Sequence, residues 1–194
     1  MPSELAPGFL IAAPNMDDPN FSKSVILMAE HNDDGAIGFI VNKPTPLTLG
    51  VLLFGVDEDL ADMAAQNGLG GLPVLLGGPV QRHIAWVLYK RQEDEILDEG
   101  SISVGDVLTL GASMDTLRAF ISRQRTGPFQ VILGYSGWGE QQLEGEITRG
   151  SWLPLDLENT LAFDTPVESC WDEAVKLLGL TPGGFMMGGP GALA

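Results

Sequence analysis

The chain has 194 residues, 44% of them hydrophobic, enough apolar material to bury a sizeable core in a single domain spanning residues 1–194. Ten basic residues against 26 acidic ones leave a formal charge of -16 and a pI near 4.2, so the average surface repels phosphate backbones and anionic headgroups. Direct nucleic-acid binding and membrane association are therefore not expected, and the single Cys170 excludes an intramolecular disulfide and a cysteine-only metal site.

The segment from Met1 to Pro7 has neither a basic leader nor a long apolar run, which favours a cytoplasmic location. Three dense apolar runs follow, Phe9 to Ala13, Val25 to Ala29 and Ile37 to Val41. Each is too short for a stand-alone helix and is bounded by turn residues, so the three read as buried strands. The polar stretch His31, Asn32, Asp33, Asp34, Gly35 joins the second and third as a hairpin, with Gly35 supplying a positive φ. Pro44 and Pro46 then end the third strand, because proline lacks the N–H a central ladder needs. Leu49, Leu52, Leu53 and Val56 fit a short helical stripe that Gly55 can close.

Asp57, Glu58, Asp59 and Asp62 form an acidic run, read as a solvated face or loop, and the same reading covers Glu93, Asp94, Glu95, Asp98 and Glu99. Met63 to Gln81 carries no charge and is about long enough to cross a bilayer. Its five Gly and two Pro make it a loop followed by a strand. That strand is Val74 to Leu76, closed by Gly77, Gly78 and Pro79, and Ile84 to Tyr89 and Val107 to Leu110 supply two more. Ser113 is placed to cap a helix with Leu117, Phe120 and Ile121 on one face. Phe129 to Leu133 is a strand ending in the turn-like run Gly134, Tyr135, Ser136, Gly137, Trp138, Gly139. A helix from Gln142 to Ile147 and an extended segment from Trp152 to Leu157 follow. Thr165 and Glu168 have capping-box spacing around Pro166, and Gly179 can terminate the helix that carries Trp171, Ala174, Val175 and Leu178. From Thr181 the chain turns Gly- and Met-rich, with Phe185, Met186 and Met187 as bulky anchors, and a mobile tail is expected.

Strands grouped first and helices interspersed later favour α+β over a doubly wound sheet. The run GFLIAAPNMDDPNFSKSVILMAEHNDDGAIGFIVNKP, then GGPV at Gly77 to Val80, then GYSGWGEQQLEGEI ahead of Trp152 and Leu153, resembles the bacterial YqgE/AlgH family across nearly the whole chain. The resemblance implies an α+β fold with a branched mixed sheet, partly barrel-like, surrounded by helices. It also implies the label of transcriptional regulator, without a settled activity. Gln141 departs from the pattern, which usually has Gly there, and the tail after Leu180 is richer in Gly and Met than the pattern leads one to expect.

The chemistry-bearing residues give few constellations. Glu30, His31, Asp33 and Asp34 are suitable types for a divalent metal, but adjacent strand residues face opposite ways and a solvated turn accounts for them. No metal and no cofactor is expected. His83 has no nucleophile beside it. Ser136, in Gly134 to Trp138, comes nearest to a G-x-S-x-G elbow, with Trp138 in place of the last Gly; a turn or cap role is the expected one. Phosphate-binding glycine motifs are absent. Lys43 and Arg82 are scarce cations beside turn motifs, fit to bind a small anion if the fold brings them together. Cys170, next to Trp171, reads as a small buried apolar residue.

Two functional classes follow. The first is a non-enzymatic regulatory or protein-interaction role with an unidentified protein partner. The alternative is an enzyme or small-ligand binder with a cleft near Asn42, Lys43, Gly77, Gly78, Arg82 and Trp138. Trp138 is expected to be more core plug than cleft wall.

Overall fold

The computed structural model describes residues 5–92 and 95–181. In chain order the elements are β1 (Gly8–Ala12), β2 (Val25–Asn32), β3 (Gly35–Ile40), β4 (Pro44–Thr48), α1 (Leu49–Phe54), α2 (Glu58–Gln66), β5 (Pro73–Leu76), β6 (Val80–Lys90), β7 (Ile102–Val104), β8 (Leu108–Gly111), α3 (Met114–Ile121), β9 (Phe129–Gly139), α4 (Gln142–Thr148), β10 (Trp152–Asp156), α5 (Asn159–Phe163) and α6 (Cys170–Leu177).

The strands form one sheet, ordered β10-β1-β2-β3-β9-β6-β8-β7. A branch leaves it at β9, where β5 pairs in parallel with Val131–Leu133 and carries β4 on its far edge. The other ladders are antiparallel, so the sheet is mixed and branched, with helices on its faces. It rolls far enough for β7 to pack against β2, yet no ladder closes it among the described residues.

Burial on both faces explains why β1 and Val25–Ala29 of β2 are apolar at every position, before Glu30, His31 and Asn32 lead into the hairpin. Phe9, Ile11, Val25 and Leu27 point into a core shared with Val104, Leu108 and Leu110 and with Trp171, Ala174 and Val175 of α6. The alternate residues Leu10, Ala12, Ile26 and Met28 point the other way, to Trp138, Leu143 and Trp152. A further core lies between α1, α2, α3 and the outer face of β5, β6 and β9.

Several local expectations are corrected. The acidic run at Asp57–Asp62 is a solvated face, as expected, but one that belongs to a helix: Asp57 caps α2 by accepting from the Leu60 N–H at 3.0 Å, while Leu60, Ala61 and Ala64 face inward. Met63–Gln66 is therefore the end of α2 and not loop. The third strand does end ahead of the prolines, at Ile40, but the chain is extended again at Pro44 and Pro46 because β4 is an edge strand, where missing N–H groups cost nothing. The capping box at Thr165 and Glu168 does not form; α6 starts at Cys170, and the Thr165 hydroxyl donates to the Thr160 carbonyl. Gly179 does close α6, at φ 74. In the second acidic run, Glu93 and Asp94 lie outside the described residues, but Glu95 is not a freely solvated side chain. It pairs with Arg125 and accepts from the Tyr89 hydroxyl at 3.0 Å, and burial pushes the Tyr89 pKa up to about 12. The expected mobile tail, with its anchors Phe185, Met186 and Met187, falls on residues 182–194, outside those described.

The run Gly134–Gly139 is not a turn. It is the second half of β9, bent at Gly134 (φ 68), where an added Cβ would sit 2.6 Å from the Val80 carbonyl oxygen. The bend lets one strand leave β5 and take up β3, which is how the sheet branches.

Candidate functional site

Asn42 and Lys43 sit in the short connection from β3 to β4. The Asn42 carboxamide accepts from the Val25 N–H at 2.8 Å and donates to the Lys23 carbonyl at 2.9 Å, and the Lys43 ammonium donates to the Pro19 and Asn20 carbonyls at 3.1 and 2.5 Å. These side chains pin the loop between β1 and β2. Burial lowers the Lys43 pKa, partly offset by the nearby Asp18 carboxylate. Beside this connection lies an open cleft of about 480 Å3, lined by Asn42, Lys43, Pro44, Thr45, Pro46, Leu76, Arg82 and Leu133.

The fold thus brings Asn42, Lys43 and Arg82 together. Gly77 and Gly78 stand just behind them, buried, and do not line the cleft. The Gly77 carbonyl accepts from the Ile40 N–H at 2.9 Å and from the Ser136 hydroxyl at 3.1 Å, and a Cβ on Gly77 would meet Ile132 Cγ2 at 2.6 Å. Trp138 is elsewhere, near the far end of β9, 7% exposed. Its indole N–H donates to Glu146 Oε2 at 2.9 Å, and that of Trp152 donates to the same oxygen at 2.8 Å. Phe21 lies 6.5 Å from the Trp138 ring and 5.5 Å from that of Trp152, closing an aromatic box. The cleft residues Pro44, Thr45, Pro46, Leu76 and Leu133 were missed by sequence reasoning. The alternating prolines of an edge strand were the available signal.

The reactive residue types are engaged elsewhere. Ser136 is fully buried in a strand, which contradicts the strand–turn–helix context of a nucleophile elbow. Burial pushes the Cys170 thiol up to about 12, and its Sγ faces the Leu161 carbonyl at 3.5 Å. His31 places Nε2 at 2.8 Å from Glu144 Oε1 and accepts from the Leu5 N–H at Nδ1, so it ties β2 to α4. Among the described residues no group of three or more His, Cys, Asp or Glu is placed to hold a metal ion, and no helix is long and apolar enough to cross a membrane.

The AlgH-like family profile aligns with residues 9–183. The chain belongs to this family. It is 50% identical to a UPF0301 protein of Anaeromyxobacter sp. (strain Fw109-5), covering 100% of this chain and 98% of that one. A UPF0301 protein of Vibrio cholerae is 37% identical over 90% of this chain and 91% of its own. The solution structure of the AlgH protein from Pseudomonas aeruginosa superposes with a TM-score of 0.73 at 28% identity, covering 99% of this chain and 98% of that one. Membership fixes the α+β architecture and leaves the chemistry to be argued from the site. One family departure acquires a physical meaning: Gln141, where the pattern has Gly, sits at the N-terminal boundary of α4 with φ 56, a left-handed conformation that glycine adopts freely.

A second surface stands out near the cleft in sequence. α1 buries Leu49 and Leu53 but exposes Val51 at 60% and Phe54 at 68%, and Val56 just beyond is 69% exposed. The outward acids Glu58, Asp59 and Asp62 of α2 follow within a few residues.

Proposed function

We propose that this chain is a non-enzymatic regulatory protein that acts by binding another protein through α1. The observation that carries this reading is the exposed trio Val51, Phe54 and Val56, apolar side chains of a kind normally turned inward, on and just after a helix whose other face is already packed. The acids of α2 give the partner its chemistry: an apolar anchor flanked by lysine or arginine. Strand addition is the less suitable mode here, because Pro44 and Pro46 deprive the β4 edge of N–H donors and the Leu47 N–H already donates to the Thr45 hydroxyl. The engaged states of Ser136 and Cys170 support a binding role over nucleophilic catalysis. With a net charge of -16, any regulatory effect runs through protein contact, and no sequence-dependent duplex binding is expected at physiological salt. The test compares wild type with Phe54→Asp and Val51→Asp. A partner retained by immobilised wild-type chain should be lost from both variants at unchanged melting temperature, and equal retention by all three chains refutes the reading.

A second reading, a small-ligand binder, is favoured by the 480 Å3 cleft that gathers Asn42, Lys43 and Arg82. Gly77 and Gly78 support its rear wall through β5 and β9, and Trp138 takes no part in it.

A further inference from the structure

A cleft selects by what it leaves unsatisfied, and this one leaves little. The polar ends of Asn42 are used by Val25 and Lys23, and the Thr45 hydroxyl donates to the Val74 carbonyl at 2.8 Å while accepting from Leu47. Pro44, Pro46, Leu76 and Leu133 offer only hydrocarbon. Two cationic groups remain. The exposed Arg82 guanidinium has no hydrogen bond or ion pair among the described residues, and Lys43, with two protons given to carbonyls, has a third to donate.

The charge environment sharpens this. The chain carries 26 acids and ten cations, yet the eight cleft residues include two cations and no acid. The adjoining hollow of about 220 Å3, across Asn42 and Lys43, differs: there Glu168 and Asp172 face Lys23 and Lys43. The lining of the larger cleft thus carries net positive charge between apolar walls on an acidic protein, with Asp18 near Lys43 but no acid paired with Arg82 among the described residues, and such a spot concentrates anions the rest of the surface repels.

We propose that the cleft between Asn42–Pro46, Leu76, Arg82 and Leu133 binds a small organic carboxylate with an aliphatic body, the carboxylate on Arg82 and Lys43 and the hydrocarbon against Pro44, Pro46, Leu76 and Leu133. This rests on the second reading above, that the cleft is a ligand site. The ligand has two recognition elements because the cleft has two. A bare inorganic anion leaves the apolar walls uncovered, and a neutral alcohol of the same length leaves Arg82 unpaired. Guanidinium suits the role, since its planar fork receives both carboxylate oxygens.

The experiment titrates the full chain with octanoate, octan-1-ol and inorganic phosphate, following backbone amide NMR signals of Thr45, Leu76 and Leu133, for wild type and Arg82→Gln. Octanoate should saturate those signals with a dissociation constant of about 1 mM or tighter. Arg82→Gln should weaken it about tenfold without changing the melting temperature, and phosphate and octanol should each bind at least about tenfold more weakly. If octanol or phosphate matches octanoate, the cleft is still a ligand site but not one for this class, and the proposal falls. If octanoate binding survives Arg82→Gln unchanged, the assignment of the carboxylate to Arg82 is wrong and the proposal falls. If none of the three perturbs the cleft, the small-ligand reading falls with it.

Discussion

The aromatic box around Glu146 and the cleft beside Lys43 lie along the same long strand, one near Trp138 and the other at Leu133. Both are built from motif residues that look like site material in the sequence. In the box, every polar group is answered: two indole N–H groups share Glu146 Oε2, and Gln142 donates to Oε1 at 2.9 Å. In the cleft, an arginine is left over. The size of an aromatic residue and its flanking glycines therefore say little about whether it faces a ligand; what separates core from site is whether the neighbourhood has already satisfied its donors.

The sharpest way to break this contrast is to truncate each region. Trp138→Ala removes a side chain packed on Phe21 and Trp152 and should cost about 3 kcal/mol in urea denaturation, whereas Arg82→Gln should stay within about 0.5 kcal/mol of wild type. An unchanged midpoint for Trp138→Ala would make the box a site after all. Glu146→Leu leaves two nearly buried indole donors without their acceptor and should cost about 2 kcal/mol, more than a surface glutamate on a short helix would. A cost below about 0.5 kcal/mol would mean that water replaces the carboxylate and that the box is open.

Smaller effects concern α4, which holds Glu146 in place. Gln141→Gly relieves the left-handed backbone and should raise stability by about 0.5–1 kcal/mol, as a higher denaturation midpoint would show. Glu144, in the same helix, is held below its ordinary value of 4.5 by a hydrogen bond from its own backbone N–H and then by His31. A depressed carboxyl stabilises the fold above its unfolded value and loses that contribution as pH falls through the folded value. The stability difference between wild type and Glu144→Gln should accordingly be full above the ordinary carboxyl value and fade as pH falls below it, and a difference that grows on acidification contradicts the assignment.

Much of the fold was legible from local pattern. Dense apolar runs bounded by turns locate β1, β2 and β3, because burial on both faces removes polar alternation, and Ser113 marks the start of α3 because its hydroxyl accepts from the Thr116 N–H at 3.1 Å. Local pattern failed where a helix hid behind charge, as in α2, whose three acids match its three inward residues in number. It failed again where glycines mark a bend inside a strand, as in β9. Periodicity reports which face is wet, and a loop and a charged helix face are equally wet.

The candidate site divides in the same way. Asn42, Lys43 and Arg82 could be singled out from the sequence because cations are scarce in so acidic a chain and turn motifs flank them. That Arg82 reaches the same cleft as Lys43 depends on β5 and β6 pairing with opposite edges of β9 and on β9 bending at Gly134, a register decision made by residues some fifty positions away. The exclusion of Trp138 was likewise a tertiary outcome: its partners Phe21, Glu146 and Trp152 come from three separate segments. The sequence by itself determined the composition, the paired apolar strands and the charge balance, since these depend on residue type and short-range spacing. Only the tertiary structure decided which polar groups found partners, because a hydrogen bond requires two groups within about 3 Å, and spacing along the chain does not encode that distance.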